Sequence, residues 1–163
     1  MKCGKIPGLA RMIGAALFTF VASNANAQQV QVSRLTNPVF GTINNFTTDL
    51  TYADNVCIYS SAPGGRYHVT ATGSGTGGAF TLASGANLMA YDVQWAAASG
   101  QTTGTALTSG VASSVFTSNA VNAGCTSAPT NVATLLTILR TASVGAATSG
   151  SYTGILTLLV APN

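Results

Sequence analysis

Few side chains in this sequence could carry acid–base or nucleophilic chemistry. Beyond residue 27 there is one histidine, His68, and three carboxylates, Asp49, Asp54 and Asp92, with no Glu and no Lys. Paired carboxylates work as general acid and base only when they share a cleft. Here Asp54-Asn55 has the composition of a turn between two strands, and Asp92 alternates with apolar neighbours on an outward strand face. His68 sits between Tyr67 and Val69 with Thr70 and Thr72 at like positions, so a solvated strand histidine is expected. No Gly-x-Ser-x-Gly nucleophile turn occurs. The segment Gly73-Ser74-Gly75-Thr76-Gly77-Gly78 matches Gly-x-Gly-x-x-Gly, but that fingerprint needs a helix to open there, and Ala79-Phe80-Thr81-Leu82 continues as a strand. A Gly/Ser turn is expected, with no cofactor. The composition points away from an enzyme.

Asn45-Phe46-Thr47 is a formal glycosylation acceptor, of consequence only in a eukaryotic secretory route. The cysteines are Cys3, Cys57 and Cys125, too scattered, with one His, to suggest a metal site.

The charge balance has a local origin. Of 163 residues 6% are charged, against about a quarter in an ordinary soluble domain. Lys2, Lys5 and Arg11 precede the apolar run from Met12 to Ala22, and Ala25-Asn26-Ala27 follows it. Basic start, short apolar run and small-residue triplet are the parts of a secretory signal peptide, here residues 1–27 with cleavage after Ala27. The run is shorter than the ~20 residues that cross a bilayer, so no membrane span is expected after cleavage. Residues 28–163 then carry Arg34, Arg66 and Arg140 against the three aspartates, a formally neutral chain. Three scattered arginines cannot neutralise a run of phosphates, which sets nucleic acid aside. In an oxidising compartment Cys57 and Cys125 should pair, closing a loop of about 70 residues worth on the order of 4 kcal/mol by the chain-entropy argument.

Positioning falls to strands. Tyr67, Val69 and Ala71 alternate with His68, Thr70 and Thr72, and Met89, Tyr91, Val93 and Trp95 alternate with Ala90, Asp92 and Gln94. Further strands are expected over Gln29 to Leu35, Val39 to Ile43, Phe46 to Tyr52, Val56 to Tyr59, Ala79 to Ala83, Val111 to Thr117, Val132 to Leu139 and Tyr152 to Val160. Turns fall at Pro63-Gly64-Gly65, Ser84-Gly85-Ala86, Ser99-Gly100-Gln101 and Ser149-Gly150. No helical run of ten residues appears outside the signal. The expectation is one all-β domain over 28–163, an antiparallel sandwich, with Tyr91, Val93, Trp95, Tyr152, Leu156 and Leu158 buried and His68, Asp92 and Gln94 facing outward.

Four segments in order carry a resemblance: Asn37-Pro38-Val39-Phe40-Gly41-Thr42, Asn55-Val56-Cys57-Ile58-Tyr59, Met89-Ala90-Tyr91-Asp92-Val93, and Gly150 to Leu158 with its Gly-Ser-Tyr opening. Together they resemble the spore coat protein U family, the secreted domain shared with subunits of archaic chaperone-usher pili. Two positions depart from that pattern: Gly154 stands where Asp is usual, and no Cys lies between Gln28 and Val56 to partner Cys57 as in other members. The resemblance therefore implies a divergent branch in which Cys57 turns to Cys125 or stays free.

The resemblance also implies an immunoglobulin-like, incomplete (pilin-type) sandwich whose groove accepts an extended segment of a neighbour. The acceptor strand would present Tyr152, Leu156, Leu158 and Val160, and a chain ending soon after it suits a fold without a closing strand. The donor would be residues 28–35, with Val30 and Val32 on one face; alternatively these residues form the protein's own first strand, as in a subunit that accepts without donating. Implied with it are a structural or adhesive role in a bacterial fimbrium or biofilm, export to the periplasm and then the cell surface, and as partners a periplasmic chaperone, an outer-membrane usher, neighbouring pilus subunits and a host or abiotic surface. The alternative is a self-contained secreted β-sandwich acting as a binding module or spore or biofilm coat protein.

Overall fold

The structure, a computed structural model, describes residues 27–127 and 132–163. The leader expected over residues 1–27 lies, but for Ala27, outside the described residues.

The period-2 patterns form strands, and the fold is all-β and antiparallel. In chain order the elements are β1 (Val30–Ser33), β2 (Leu50–Ser60), β3 (Arg66–Gly73), β4 (Thr81–Ser84), β5 (Asn87–Ala90), β6 (Asp92–Ala96), β7 (Thr105–Ala106), β8 (Phe116–Thr117), β9 (Ala133–Leu139), α1 (Thr141–Ala146) and β10 (Leu156–Pro162). One sheet runs β1-β2-β9-β6-β7, the facing sheet runs β10-β3-β8, and β4 and β5 form a separate hairpin. The hairpin turn is Gly85-Ala86, with Gly85 at φ 60° and Ser84 paired to Asn87. Glycine at the first central position gives the backbone hand that matches strand twist.

The core lies between the two sheets. Val56 and Ile58 of β2, Val93 and Trp95 of β6 and Leu135 and Leu139 of β9 meet Tyr67, Val69 and Ala71 of β3. Trp95 and Tyr67 are fully buried and meet edge to face across the layers, their centroids 6.4 Å apart, and Trp95 Nε1–H donates to the Tyr67 hydroxyl at 3.1 Å. That bond satisfies the indole in a place where an unpaired donor would cost about 1–3 kcal/mol. β9 is buried along its whole length, Leu136 and Ile138 on its outer face included.

Burial pushes the Tyr67 hydroxyl up to about 12, against a smaller downward pull from the Trp95 hydrogen bond. The folded state thus keeps a proton that the unfolded chain gives up near pH 10. Stability from this group is complete below pH 10 and is lost as pH rises toward 12, on the order of 2 kcal/mol. Denaturant midpoints from pH 9 to 12 should fall more steeply for the wild type than for Tyr67→Phe; equal slopes would refute the assignment.

Several expectations are corrected. Asp54-Asn55 is no turn: both lie within the continuous strand β2, and Asp54 is buried on the face of Val56 and Ile58, where its Oδ2 accepts the Thr36 N–H at 2.7 Å. Val39 to Ile43 forms no strand, and Met89 to Trp95 breaks at Tyr91, whose N–H turns to the Phe80 carbonyl. The last strand starts at Leu156 instead of Tyr152, because the preceding residues carry the Ala83–Thr153 bridge to the hairpin. Tyr91, Val93 and Trp95 are buried and Asp92 exposed as expected, but Tyr152, Leu156 and Leu158 are only half-buried. His68 is not a free strand histidine either. It is half-buried, with Nδ1 2.8 Å from the Ser113 carbonyl and Nε2 2.7 Å from the Asn163 side-chain amide. Gln94 is likewise half-buried, accepting the Gly104 N–H at Oε1.

Candidate functional site

The half-burial of the last strand has a geometric cause. Among the described residues β10 has one strand partner, β3, with Leu158 opposite Ala71 and Val160 opposite Val69. The Asn163 N–H donates to the Arg66 carbonyl, whereas the Val69 and Ala71 carbonyls accept from Ser113 and Gly110 on the far side of β3. Alternation along an antiparallel ladder then turns the backbone groups of 157, 159 and 161 toward β3 and those of Leu156, Leu158 and Val160 toward the edge that carries no ladder, part of which β1 approaches without pairing. The side chains of the same three residues point inward and pack on the core as its partly buried border. Leu159, on the other face, is 64% exposed.

Beside this edge a groove of about 1280 Å3 opens between the sheets. Leu135 and Thr137 of β9, Tyr91 and Met89 form part of its wall, Leu156 and Leu158 of β10 another, and the strandless segment 35–43 a third. That segment is pinned at intervals. Asp54 takes the Thr36 N–H, the Thr36 and Tyr52 hydroxyls lie 2.9 Å apart, and Phe40 packs edge-on against Tyr52. Leu35, Val39 and Phe46 nevertheless remain exposed.

Helix α1 contributes Val144 to the groove. Its start is held by Asp49, whose Oδ1 accepts the Thr141 N–H at 2.8 Å, and by Arg140, which reaches Asp49 at 2.8 Å and Asp92 at 2.6 Å. The Thr141 N–H first, and Arg140 second, hold the Asp49 carboxyl below its usual range. Two of the three aspartates thus meet after all, around a guanidinium that pairs with both; sequence reasoning missed this because Asp49, Asp92 and Arg140 come from three separate strand ends. Tyr152 projects from the segment before β10, its hydroxyl donating to the Thr148 carbonyl at 3.0 Å. Gly154 sits where a side chain would not fit: a Cβ there would lie 2.9 Å from the Thr81 carbonyl oxygen.

The remaining residues singled out by sequence lie elsewhere. Cys57 and Cys125 are joined, with Cα atoms 6.0 Å apart and both residues fully buried. Val30 and Val32 lie in β1, paired in register with Ser60 and Ile58 of the same chain, and Val32 packs against the core. Gly73 ends β3, and Ser74 to Gly78 form the turn that follows, with one short 3-10 segment and no α-helix opening there. The part of the groove that sequence reasoning overlooked is the wall of residues 35–43 with Phe46, whose apolar residues it took for strands over Val39 to Ile43 and from Phe46 onward.

No family model matches this chain, and no curated protein sequence matches it. What the groove can do follows from its chemistry. A partly apolar channel beside a strand edge that carries no ladder among the described residues can take an extended peptide that adds a strand while burying alternate side chains.

Proposed function

We propose that the protein is a subunit of a surface fibre that accepts an extended segment of a neighbouring subunit along β10. The carrying observation is the ladder-free edge of β10, with Leu156 and Leu158 half-exposed in the wall of the groove and Val160 half-exposed on the same strand face. An added strand hydrogen-bonds to the backbone groups turned outward at these three residues and completes the burial of their side chains. The likeness of four segments to the spore coat protein U family supports the same reading. Export after cleavage of residues 1–27, delivery by a periplasmic chaperone, assembly through an outer-membrane usher, and a structural or adhesive role at the cell surface go with it.

The test is the assembly state of the exported chain. Mature wild-type protein should form multimers that survive size-exclusion chromatography, each copy giving up its β1–β2 pairing to donate residues 28–35 to the next. Leu158→Asp should stay a folded monomer by circular dichroism, because it sets a carboxylate into the contact that the added strand must cover. Leu158→Ala, which only shortens the side chain, should still assemble. Multimerisation of Leu158→Asp at the wild-type level would refute the proposal.

One observation favours the second reading, a self-contained secreted binding module or coat protein: β1 pairs with β2 of its own chain, so Val30 and Val32 are already used at home. A wild-type chain that remains monomeric at every concentration would favour that reading.

A further inference from the structure

The N-terminal strand and the disulfide meet at one point. Ser33, the last residue of β1, lies opposite Cys57 in the β1–β2 register. The next residue, Arg34, donates from Nη2 to the Cys125 carbonyl at 3.1 Å. Arg34 and Cys125 are also the two non-glycine residues with positive φ among the described residues, at 66° and 44°. Left-handed backbone at a non-glycine residue is disfavoured and persists where surrounding contacts enforce it. Here the enforcing contacts are shared: the bridge fixes Cys125 against β2, and Cys125 in turn fixes Arg34. The β1 ladder is short, four residues, and the Ser33 hydroxyl is buried without a partner beside Cys57. At the far end β1 is tied through the Gln29 and Ser61 backbones and the Ser61 hydroxyl.

We infer that the Cys57–Cys125 bridge is the latch that seats β1 in its own sheet, acting through the Arg34–Cys125 contact, so that a thiol–disulfide exchange reaction decides whether this strand stays at home. With a dithiol as reductant, the S–S bond breaks, Cys57 and Cys125 each gain a proton and become thiols, and the dithiol is oxidised to its own disulfide by the two electrons it gives up. Cys125 is then no longer tied to β2, the left-handed pair at 34 and 125 can relax, and β1 loses its anchor at Ser33. The forward process in an oxidising compartment is the reverse: an oxidant of the disulfide class closes the bridge, and β1 docks after it. The bearing on assembly rests on the strand-addition proposal above, since a released β1 is an apolar extended segment able to add elsewhere. The seating of β1 does not depend on that proposal, and the experiment reads the seating alone.

The experiment is amide hydrogen exchange with mass spectrometry on the mature chain, oxidised and after dithiothreitol, together with an oxidised Arg34→Ala variant. Reduction should speed exchange at Val30–Ser33 at least tenfold and by a clearly larger factor than at Ala133–Leu139 in the sheet centre. Oxidised Arg34→Ala should show a smaller acceleration confined to β1, with β9 unchanged. Unaltered β1 exchange in the reduced chain would overturn the inference. If reduction unfolds the whole domain, the variant decides: β1 exchange as slow in oxidised Arg34→Ala as in wild type would equally overturn it.

Discussion

Replacing both bridged cysteines by alanine should lower unfolding stability by about 4 kcal/mol, the upper figure expected for freeing a loop of this length. The separation of 68 residues makes the entropy released to the unfolded chain large. Both sulfurs are fully buried, so their removal also leaves unfilled volume. A domain stable by about 5–15 kcal/mol would lose a large part of its margin. A second comparison separates the bridge from the backbone around it. Because Cys125 sits at φ 44°, Cys57→Ala with Cys125→Gly should be more stable than the double alanine variant by about 1 kcal/mol, glycine being at ease in that conformation. Denaturant unfolding of the three proteins would measure both differences. A double alanine variant within 1 kcal/mol of wild type would show that the bridge adds little.

Trp95→Ala should be about as severe, at about 3–5 kcal/mol. The indole is completely buried between the sheets, and its removal leaves a cavity that Val93, Tyr67 and Leu135 cannot collapse to fill. It also strips the Tyr67 hydroxyl of the donor that it accepts from. Trp95→Phe keeps much of the volume and loses only that hydrogen bond and part of the ring contact, so it should recover more than half of the loss. Thermal unfolding of the two variants beside wild type tests the ordering. Trp95→Ala no worse than Trp95→Phe would place the weight of this residue outside packing.

How much was legible in the sequence depended on whether the signal was local. The alternation at Tyr67-Val69-Ala71 and at Val93-Trp95 is a property of a few neighbouring residues, and it gives the correct buried faces because a one-residue slip would exchange them. The pairing of Cys57 with Cys125 was legible because only these two cysteines lie beyond residue 27. Asp54 was misread because Asp-Asn has the composition of a turn; its burial is made tolerable by the Thr36 N–H, a partner 18 residues away that no local pattern announces. The groove was half legible. Leu156, Leu158 and Val160 could be placed on one face of β10, but their partial exposure depends on which edge of β10 pairs with β3, a partner far away in sequence. The opposing wall, with Leu35, Val39 and Phe40, has no regular period and shows itself only once the sheets are assembled.

The burial of β9 on both faces bears on how the chain reaches this fold. β9 is hydrogen-bonded to β2 on one side and β6 on the other, so the five-stranded sheet has no middle until Leu139 has emerged. Until then the apolar face of β2 waits with one long edge unpaired. At a synthesis rate of about 5–20 residues per second, that interval lasts several seconds. Pairings between segments so distant in sequence also form slowly, on the millisecond-to-second scale, because loop closure precedes any gain from contact. The most buried strand of the protein is therefore among the last to arrive, and the interval before it is when the nascent chain is most open to wrong pairings with other chains.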